Sequence, residues 1–180
     1  MRIEEMMIKG VYLLRGITFK DTRGISFQPY SKESLKEVGI KIEVKDILYS
    51  VSFKNVIRGM HFQLPPFTQS KLVTVISGEI MDVLLDLRVN SESYGKFTSV
   101  KLTDNEGLMI YIPKGIAHGF LSLADKSIVL YIMDSPYVPE YDSGIKYDSF
   151  GYEWNVSKPV LSDRDLALQR FNEFKSPFKM

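Results

Sequence analysis

The 180-residue chain contains no cysteine, which excludes disulfides, thiolate metal ligands and cysteine nucleophiles. No stretch comes near the roughly 20 apolar residues of a membrane-spanning helix. The start (MRIEEM) is acidic where a signal peptide is basic and then apolar. The net charge of +1 gives no reason to expect nucleic acid or an anionic membrane as a partner. We therefore expect one cytoplasmic domain over residues 1–180.

Histidine is also scarce, and both copies lie in dense motifs. His61 belongs to the motif at 58–63 (RGMHFQ), and His118 to the motif at 112–120 (IPKGIAHGF). Histidine is the usual proton carrier in catalysis because its pKa lies near neutral. Two histidines flanked by basic residues and glycine turns indicate an organised site.

The hydrophobic pattern predicts a mainly β protein. Residues 71–76 and 79–88 read as two strands around a tight turn at Ser77 and Gly78. Further apolar segments lie at 97–102, 108–112 and 128–133. Short strands at this spacing, without long helices between them, favour a sandwich or barrel. Short helices are predicted at 31–38 and within 163–174.

Three residues around the first motif suit proton abstraction beside a carbonyl. His61 would take the proton, Lys71 would stabilise the enolate oxygen, and Arg58 suits a phosphate or carboxylate. On an extended strand Arg58 and His61 point to opposite faces, which the glycine at 59 could change. A hydrogen-bonded core histidine, a surface arginine and a solvated lysine explain the same residues equally well.

Other candidates have structural explanations of their own. Tyr131 could be a proton donor or a core tyrosine, because its strand is apolar and a buried phenol needs a partner. Asp165 fits a capping box with Ser162 as the N-cap. His118 could line a pocket or cap a turn. The histidines are far apart, with no His-x-His pair, so no metal site is predicted.

Taken together, the motifs resemble the dTDP-4-dehydrorhamnose 3,5-epimerase family in order and spacing from residue 19 to about residue 165. The matching segments are 19–24 (FKDTRG), 55–63 (NVIRGMHFQ), 69–73 (QSKLV), 78–88 (GEIMDVLLDLR), 93–96 (SYGK), 112–120, 130–131 and 161–165 (LSDRD).

The resemblance implies a cupin-type jelly roll, a double-sheet antiparallel barrel that works without metal or cofactor. It implies a homodimer in which an N-terminal segment reaches the neighbouring subunit. The implied substrate is a nucleotide-diphosphate-linked 4-keto-6-deoxy sugar, inverted at C3, C5 or both. The implied setting is deoxysugar biosynthesis for surface polysaccharides.

The resemblance also implies a role for each matching residue. His61 would be the general base and Asp165 its orienting carboxylate. Tyr131 would return a proton on the opposite face, and Lys71 would hold the charge at the ketone oxygen. The implied substrate-binding residues are Arg23, Gln28, Arg58, Gln63 and His118.

Departures from the family pattern fall on nucleotide recognition. An Arg-Gly-x-Phe-x-Glu segment ends here in Gln28, and a Gln-x-Asn-x-Ser segment is replaced by 46–50 (DILYS). Where many members carry two aromatics, this chain has Pro136 and Tyr137. These changes predict altered nucleotide contacts and leave dTDP-, CDP-, GDP- and UDP-linked sugars open. A 3,4-ketoisomerase and a non-catalytic sugar-nucleotide-binding jelly roll remain the alternatives.

Overall fold

The computed structural model describes all residues from 1 to 180 and consists mainly of antiparallel strands. The strands are β1 (Arg2–Glu5), β2 (Tyr12–Arg15), β3 (Ile17–Asp21), β4 (Gly24–Gln28), β5 (Asp46–Phe53), β6 (Ile57–Gln63), β7 (Lys71–Ser77), β8 (Glu79–Asp86), β9 (Phe97–Thr103), β10 (Leu108–Ile112), β11 (Ile116–Ser122), β12 (Lys126–Met133) and β13 (Asp142–Gly144). The helices are α1 (Lys32–Glu37) and α2 (Asp163–Leu166), with 3₁₀ turns at Pro139–Tyr141 and Phe171–Glu173.

Two sheets form a sandwich of the cupin jelly-roll type, as predicted. The six-stranded sheet has the order β1-β2-β10-β7-β12-β5, and the five-stranded sheet has the order β13-β6-β11-β8-β9. Strands β3 and β4 pair only with each other, as a separate ribbon. No helix is long and apolar enough to cross a membrane.

Strands β7 and β8 lie where the sequence predicts them, but they do not pair. They belong to opposite sheets, and the chain crosses between the sheets at Gly78. Gly78 has φ +84°, and a Cβ there would lie 2.4 Å from the carbonyl oxygen of Lys126. The glycine is therefore required by a corner of the sandwich.

Apolar side chains form three clusters, one between the sheets and one on the outer face of each. The inner cluster includes Val73, Leu84 and Phe120. The C-terminal segment covers the five-stranded sheet with Trp154 and Phe178, and α1 covers the six-stranded sheet with Leu35. Because these clusters cover the central strands on both faces, those strands are fixed and can position polar side chains accurately.

Both predicted helices are present. Helix α1 begins after Ser31, whose hydroxyl accepts a hydrogen bond from the Ser34 N–H. The region 163–174 contains α2 and the second 3₁₀ turn, separated by a non-helical stretch.

Candidate active site

A cavity of about 310 Å³ opens between the two sheets and collects most of the predicted site residues. Strands β5, β7 and β12 line it from one sheet, and β6, β11 and β13 line it from the other. Six predicted residues lie in its wall: Arg58, His61, Gln63, Lys71, His118 and Tyr131. Asp165 lies behind His61.

A β-bulge in β6 brings Arg58 and His61 into the same cavity. His118 pairs with His61 and Phe120 pairs with Arg58, so β6 carries one residue more than β11 over this interval. The extra residue reverses the alternation, and both side chains face inward. The bulge requires glycine at position 59, because a Cβ there would lie 2.4 Å from Gly119 Cα.

Asp165 holds His61 by a short hydrogen bond. Asp165 Oδ1 lies 2.6 Å from His61 Nε2, and Oδ2 accepts the Gly59 N–H at 3.3 Å. A carboxylate only accepts, so the imidazole proton lies on Nε2 and the free lone pair lies on Nδ1. Nδ1 makes no hydrogen bond within the protein and is available to accept a proton.

The predicted capping box at α2 is only half formed. The Ser162 hydroxyl caps the helix by accepting the Asp165 N–H at 3.2 Å, as expected. The return bond from the Asp165 carboxylate to the Ser162 backbone is absent, because both oxygens are used by His61 and Gly59. The cap by Ser162 therefore fixes the position of Asp165, and the Asp165 carboxylate in turn binds His61.

The surroundings of His61 favour its neutral form. Burial lowers its pKa below the usual 6.5, Asp165 opposes this through its hydrogen bond and charge, and Arg164 and Lys71 lower the pKa further. Burial would raise the pKa of Asp165, but the hydrogen bond from His61 and the neighbouring charges bring it below the ordinary value. The pair at neutral pH is thus a neutral imidazole against a carboxylate.

Lys71 is a partly desolvated cation at the start of β7. Burial lowers its pKa to about 8, while Asp142 and Asp82 favour the charged form. It is still mostly protonated at neutral pH and can stabilise a developing oxyanion.

Tyr131 faces the cavity from β12 and stays protonated. Burial raises the pKa of its phenol far above the ordinary value of 10. Its ring packs edge-on against His118, with the centroids 5.9 Å apart. The phenol therefore carries its proton at neutral pH.

His118 is bound to a different carboxylate from His61 and is more deeply buried. Its Nε2 lies 2.8 Å from Asp82 Oδ2, and both side chains are almost fully buried. Burial raises the pKa of Asp82 more than His118 lowers it. The other Asp82 oxygen has no hydrogen-bond partner. His118 thus supports the cavity wall with a carboxylate behind it.

Arg58 and Gln63 line the cavity with most of their polar atoms engaged. The Arg58 guanidinium donates to the Ser52 hydroxyl at 2.9 Å and to the Val51 carbonyl at 3.1 Å. The Gln63 amide bonds three backbone groups, at Phe67, Pro136 and Val138. Gln63 therefore fixes the loops at the cavity mouth.

Arg23 and Gln28 do not reach the cavity of their own chain. Both lie on the β3–β4 ribbon, where Arg23 is exposed and pairs with Asp21 at 2.5 Å. The ribbon also exposes Phe19 and Ile25. A single chain thus brings together seven of the nine predicted residues.

Sequence reasoning missed three charged groups of the site: Asp82, Asp142 and Arg164. Asp82 carries a signal, since it shares a strand face with apolar Ile80 and Leu84 and a buried carboxylate needs a partner. Arg164 directly precedes Asp165. Asp142 carries no signal, because only the pairing of β13 with β6 brings it to the cavity. Nowhere do three or more metal-binding side chains gather.

Comparison with known proteins agrees with this geometry. The family model described as dTDP-4-dehydrorhamnose 3,5-epimerase matches residues 5–173. The enzyme of that name from Methanothermobacter thermautotrophicus is 38% identical over 169 residues, covering 91% of each chain.

Two solved structures show the same fold. The dTDP-6-deoxy-D-glucose-3,5-epimerase of Legionella pneumophila, in complex with dTDP-4-keto-L-rhamnose, superposes with a TM-score of 0.92 at 30% identity, covering 97% of this chain and 94% of that one. The dTDP-4-dehydrorhamnose 3,5-epimerase of Bacillus anthracis, with TDP and PPi bound, gives 0.91 at 33% identity, covering 94% and 98%. The resemblance inferred from the motifs is confirmed: this chain belongs to the dTDP-4-dehydrorhamnose 3,5-epimerase family and is an isomerase of the nucleotide-sugar epimerase class.

Proposed function

We propose that the protein inverts C3 and C5 beside the C4 ketone of a nucleoside-diphosphate-linked 4-keto-6-deoxy sugar. The observation that carries the proposal is the arrangement of His61, Tyr131 and Lys71 around one cavity, with Asp165 holding the base. Epimerisation beside a ketone needs a base, an acid and a charge that stabilises the enolate. These residues supply all three.

The steps follow from the state of each group. His61 Nδ1 accepts the proton from the carbon beside the ketone, and Asp165 stabilises the imidazolium that forms. Lys71 stabilises the enolate oxygen. Tyr131 then donates its proton to the same carbon from the other side, which inverts the centre. Before the second carbon reacts, the His61 imidazolium releases its proton to solvent and the Tyr131 phenolate takes one up from solvent. After the sugar turns, the reset residues act on the second carbon.

The test is conversion of the four 4-keto-6-deoxyglucose nucleotides, linked to dTDP, CDP, GDP or UDP, with the product configuration read by NMR. The relatives' names favour dTDP. The other nucleotides are included because Asp46, which replaces the family's glutamine, lies in the cavity wall and accepts the Tyr137 N–H at 3.4 Å. Inversion of at least one nucleotide sugar supports the proposal. Movement of the carbonyl to C3 would instead indicate a 3,4-ketoisomerase.

The pH dependence of kcat/KM follows from two groups. His61 acts when neutral, and its lowered pKa puts the acid limb below pH 6.5. Lys71 acts when charged, so activity falls as the pH rises through its pKa of about 8. We therefore expect a bell-shaped profile with its maximum between these limits.

Lys71→Arg is the matched variant for the alkaline limb. Arginine stays protonated throughout the accessible range, so whatever activity remains should no longer fall near pH 8. An alkaline limb at the same pH in both proteins would contradict the assignment to Lys71.

We further propose a homodimer in which the β3–β4 ribbon completes the partner's cavity with Arg23 and Gln28. Strand β5 is the outer strand of its sheet, with one edge unpaired. It exposes five large apolar side chains: Ile47, Leu48, Tyr49, Val51 and Phe53. An edge of this kind favours pairing with a second copy.

The cytoplasmic location expected from the sequence stays a prediction.

Mixing two inactive variants tests the exchange of the ribbon. Arg23→Ala and His61→Ala dimers are each expected to be impaired at both sites. If Arg23 acts in the partner's cavity, a mixed dimer has one intact site, so an equimolar mixture recovers roughly a quarter of wild-type activity. If Arg23 acts within its own chain, the mixed dimer has no intact site and the mixture stays as slow as its components.

A further inference from the structure

Arg164 is a charged group of the cavity that the proton-transfer steps do not use. Its Nη1 lies 3.0 Å from His61 Nε2 and 3.6 Å from Asp165 Oδ1. Its Nη2 lies 2.5 Å from Asp142 Oδ2. The guanidinium therefore spans the gap between the base and a carboxylate of another segment.

The backbone fixes Asp142 relative to His61. Strand β13 pairs with β6, with Asp142 opposite Gln63 and Gly144 opposite His61. The Tyr137 hydroxyl donates to the same Asp142 oxygen at 3.1 Å. Arg164 itself is carried by α2. Two elements thus hold the guanidinium from opposite sides, and its planar fork of donors suits such a bridge.

The contact between Arg164 and His61 is electrostatic in its effect. Nε2 already donates its proton to Asp165, so it has no lone pair left to accept one from Arg164. A permanent cation 3.0 Å from the ring opposes a second positive charge there. Asp165 acts in the opposite direction by favouring the imidazolium.

We propose that Arg164 is a positioning residue that keeps His61 in its neutral, proton-accepting form against the pull of Asp165, and that Asp142 holds Arg164 in place. The role rests on the proposed function, because a general base must be unprotonated before it can act. A carboxylate partner alone would orient the base but also charge it at mildly acidic pH. The arginine preserves the orientation and removes that penalty.

Every element around His61 contributes charged or titratable groups. They are Asp46 on β5, Arg58 on β6, Lys71 on β7, Asp82 on β8, His118 on β11, Tyr131 on β12, Tyr137 ahead of β13, Asp142 on β13, and Arg164 and Asp165 on α2. Arg164 is the cation in direct contact with the ring, and it lowers the pKa of His61 more than Lys71 does. Removing Arg164 should therefore raise the pKa of His61.

The test is the NMR titration of the His61 ring in the substrate-free protein, for wild type, Arg164→Met and Arg164→Lys. His61→Asn assigns the signal, since the chain has only one other histidine. Arg164→Met should raise the His61 titration midpoint by roughly 0.5 to 1 pH unit, because a half-exposed cation is screened by solvent. Arg164→Lys should stay near wild type. The acid limb of kcat/KM should move with the titration.

Lys101→Met is the matched control, because it removes an exposed cation from the ion pair with Glu79 outside the cavity. It should leave the midpoint unchanged. An unchanged midpoint in Arg164→Met overturns the inference, as does an equal shift in Arg164→Met and Arg164→Lys, which would make shape the cause. The titration needs no substrate, so a shifted midpoint without epimerisation of any 4-keto sugar would refute the proposed function and leave this inference standing.

Discussion

Replacing His61 with alanine is expected to lower the epimerisation rate by about 10³-fold while leaving the protein folded. The side chain supplies the imidazole lone pair assigned to proton abstraction, since His118 is more deeply buried than His61 and Lys71 is charged at neutral pH. His61 is partly exposed at the cavity wall, so its removal leaves no sealed void. The rate is measured by NMR of the 4-keto sugar nucleotide near pH 7.

His61→Asn separates the base from the shape of the side chain. Asparagine keeps a polar group beside Asp165 but cannot take a proton, so it should be as slow as alanine. Asp165→Asn should be affected less, because the base remains and only its orientation and the stabilisation of its charged form are weakened. Near-normal turnover in either His61 variant would contradict the assigned base.

Tyr131→Phe is expected to separate proton removal from inversion. The variant loses only the hydroxyl, and its ring can still pack on His118. His61 can still remove the proton, and it can return one to the same face, so solvent deuterium should enter with retention of configuration. Inversion should fall by roughly 10²-fold or more. Deuterium content and product configuration are read from the same NMR sample.

Tyr111→Phe is the matched control for this substitution. Tyr111 lies on β10, outside the residues that line the cavity. The control should invert at the wild-type rate. Equal loss of exchange and inversion in Tyr131→Phe would show that the tyrosine is needed for the first step and is not only the returning acid.

The sequence predicts much of the fold because each strand carries its own pattern. Strand β10 has the predicted bounds, β7 and β12 nearly so, and Ser162 caps α2 as expected. The pattern at Gly78 is the same for a hairpin and for a corner between sheets, so the placement of β7 and β8 in opposite sheets was not predictable. Whether the chain forms a hairpin or a corner at Gly78 depends on which strands pair, and strand pairing is not a local property of the sequence.

The site residues were likewise predictable where the signal is local and not where it depends on tertiary structure. The resemblance identifies residues that lie around one cavity, His61, Lys71 and Tyr131 among them. A bulge that adds one residue to β6 makes Arg58 and His61 share a face, and alternation along the strand predicts the opposite. Asp142 and Arg164 meet only through tertiary structure.

The most direct test of the proton-transfer mechanism is deuterium wash-in by the wild-type protein. A 4-keto-6-deoxyglucose nucleotide that the protein converts is incubated in D₂O near pH 7, and NMR follows the hydrogens at C3 and C5. We predict loss of both signals with inversion at both carbons, and loss of neither with His61→Asn. Product formed without deuterium beside the ketone, or exchange that persists unchanged in His61→Asn, would contradict proton abstraction by His61.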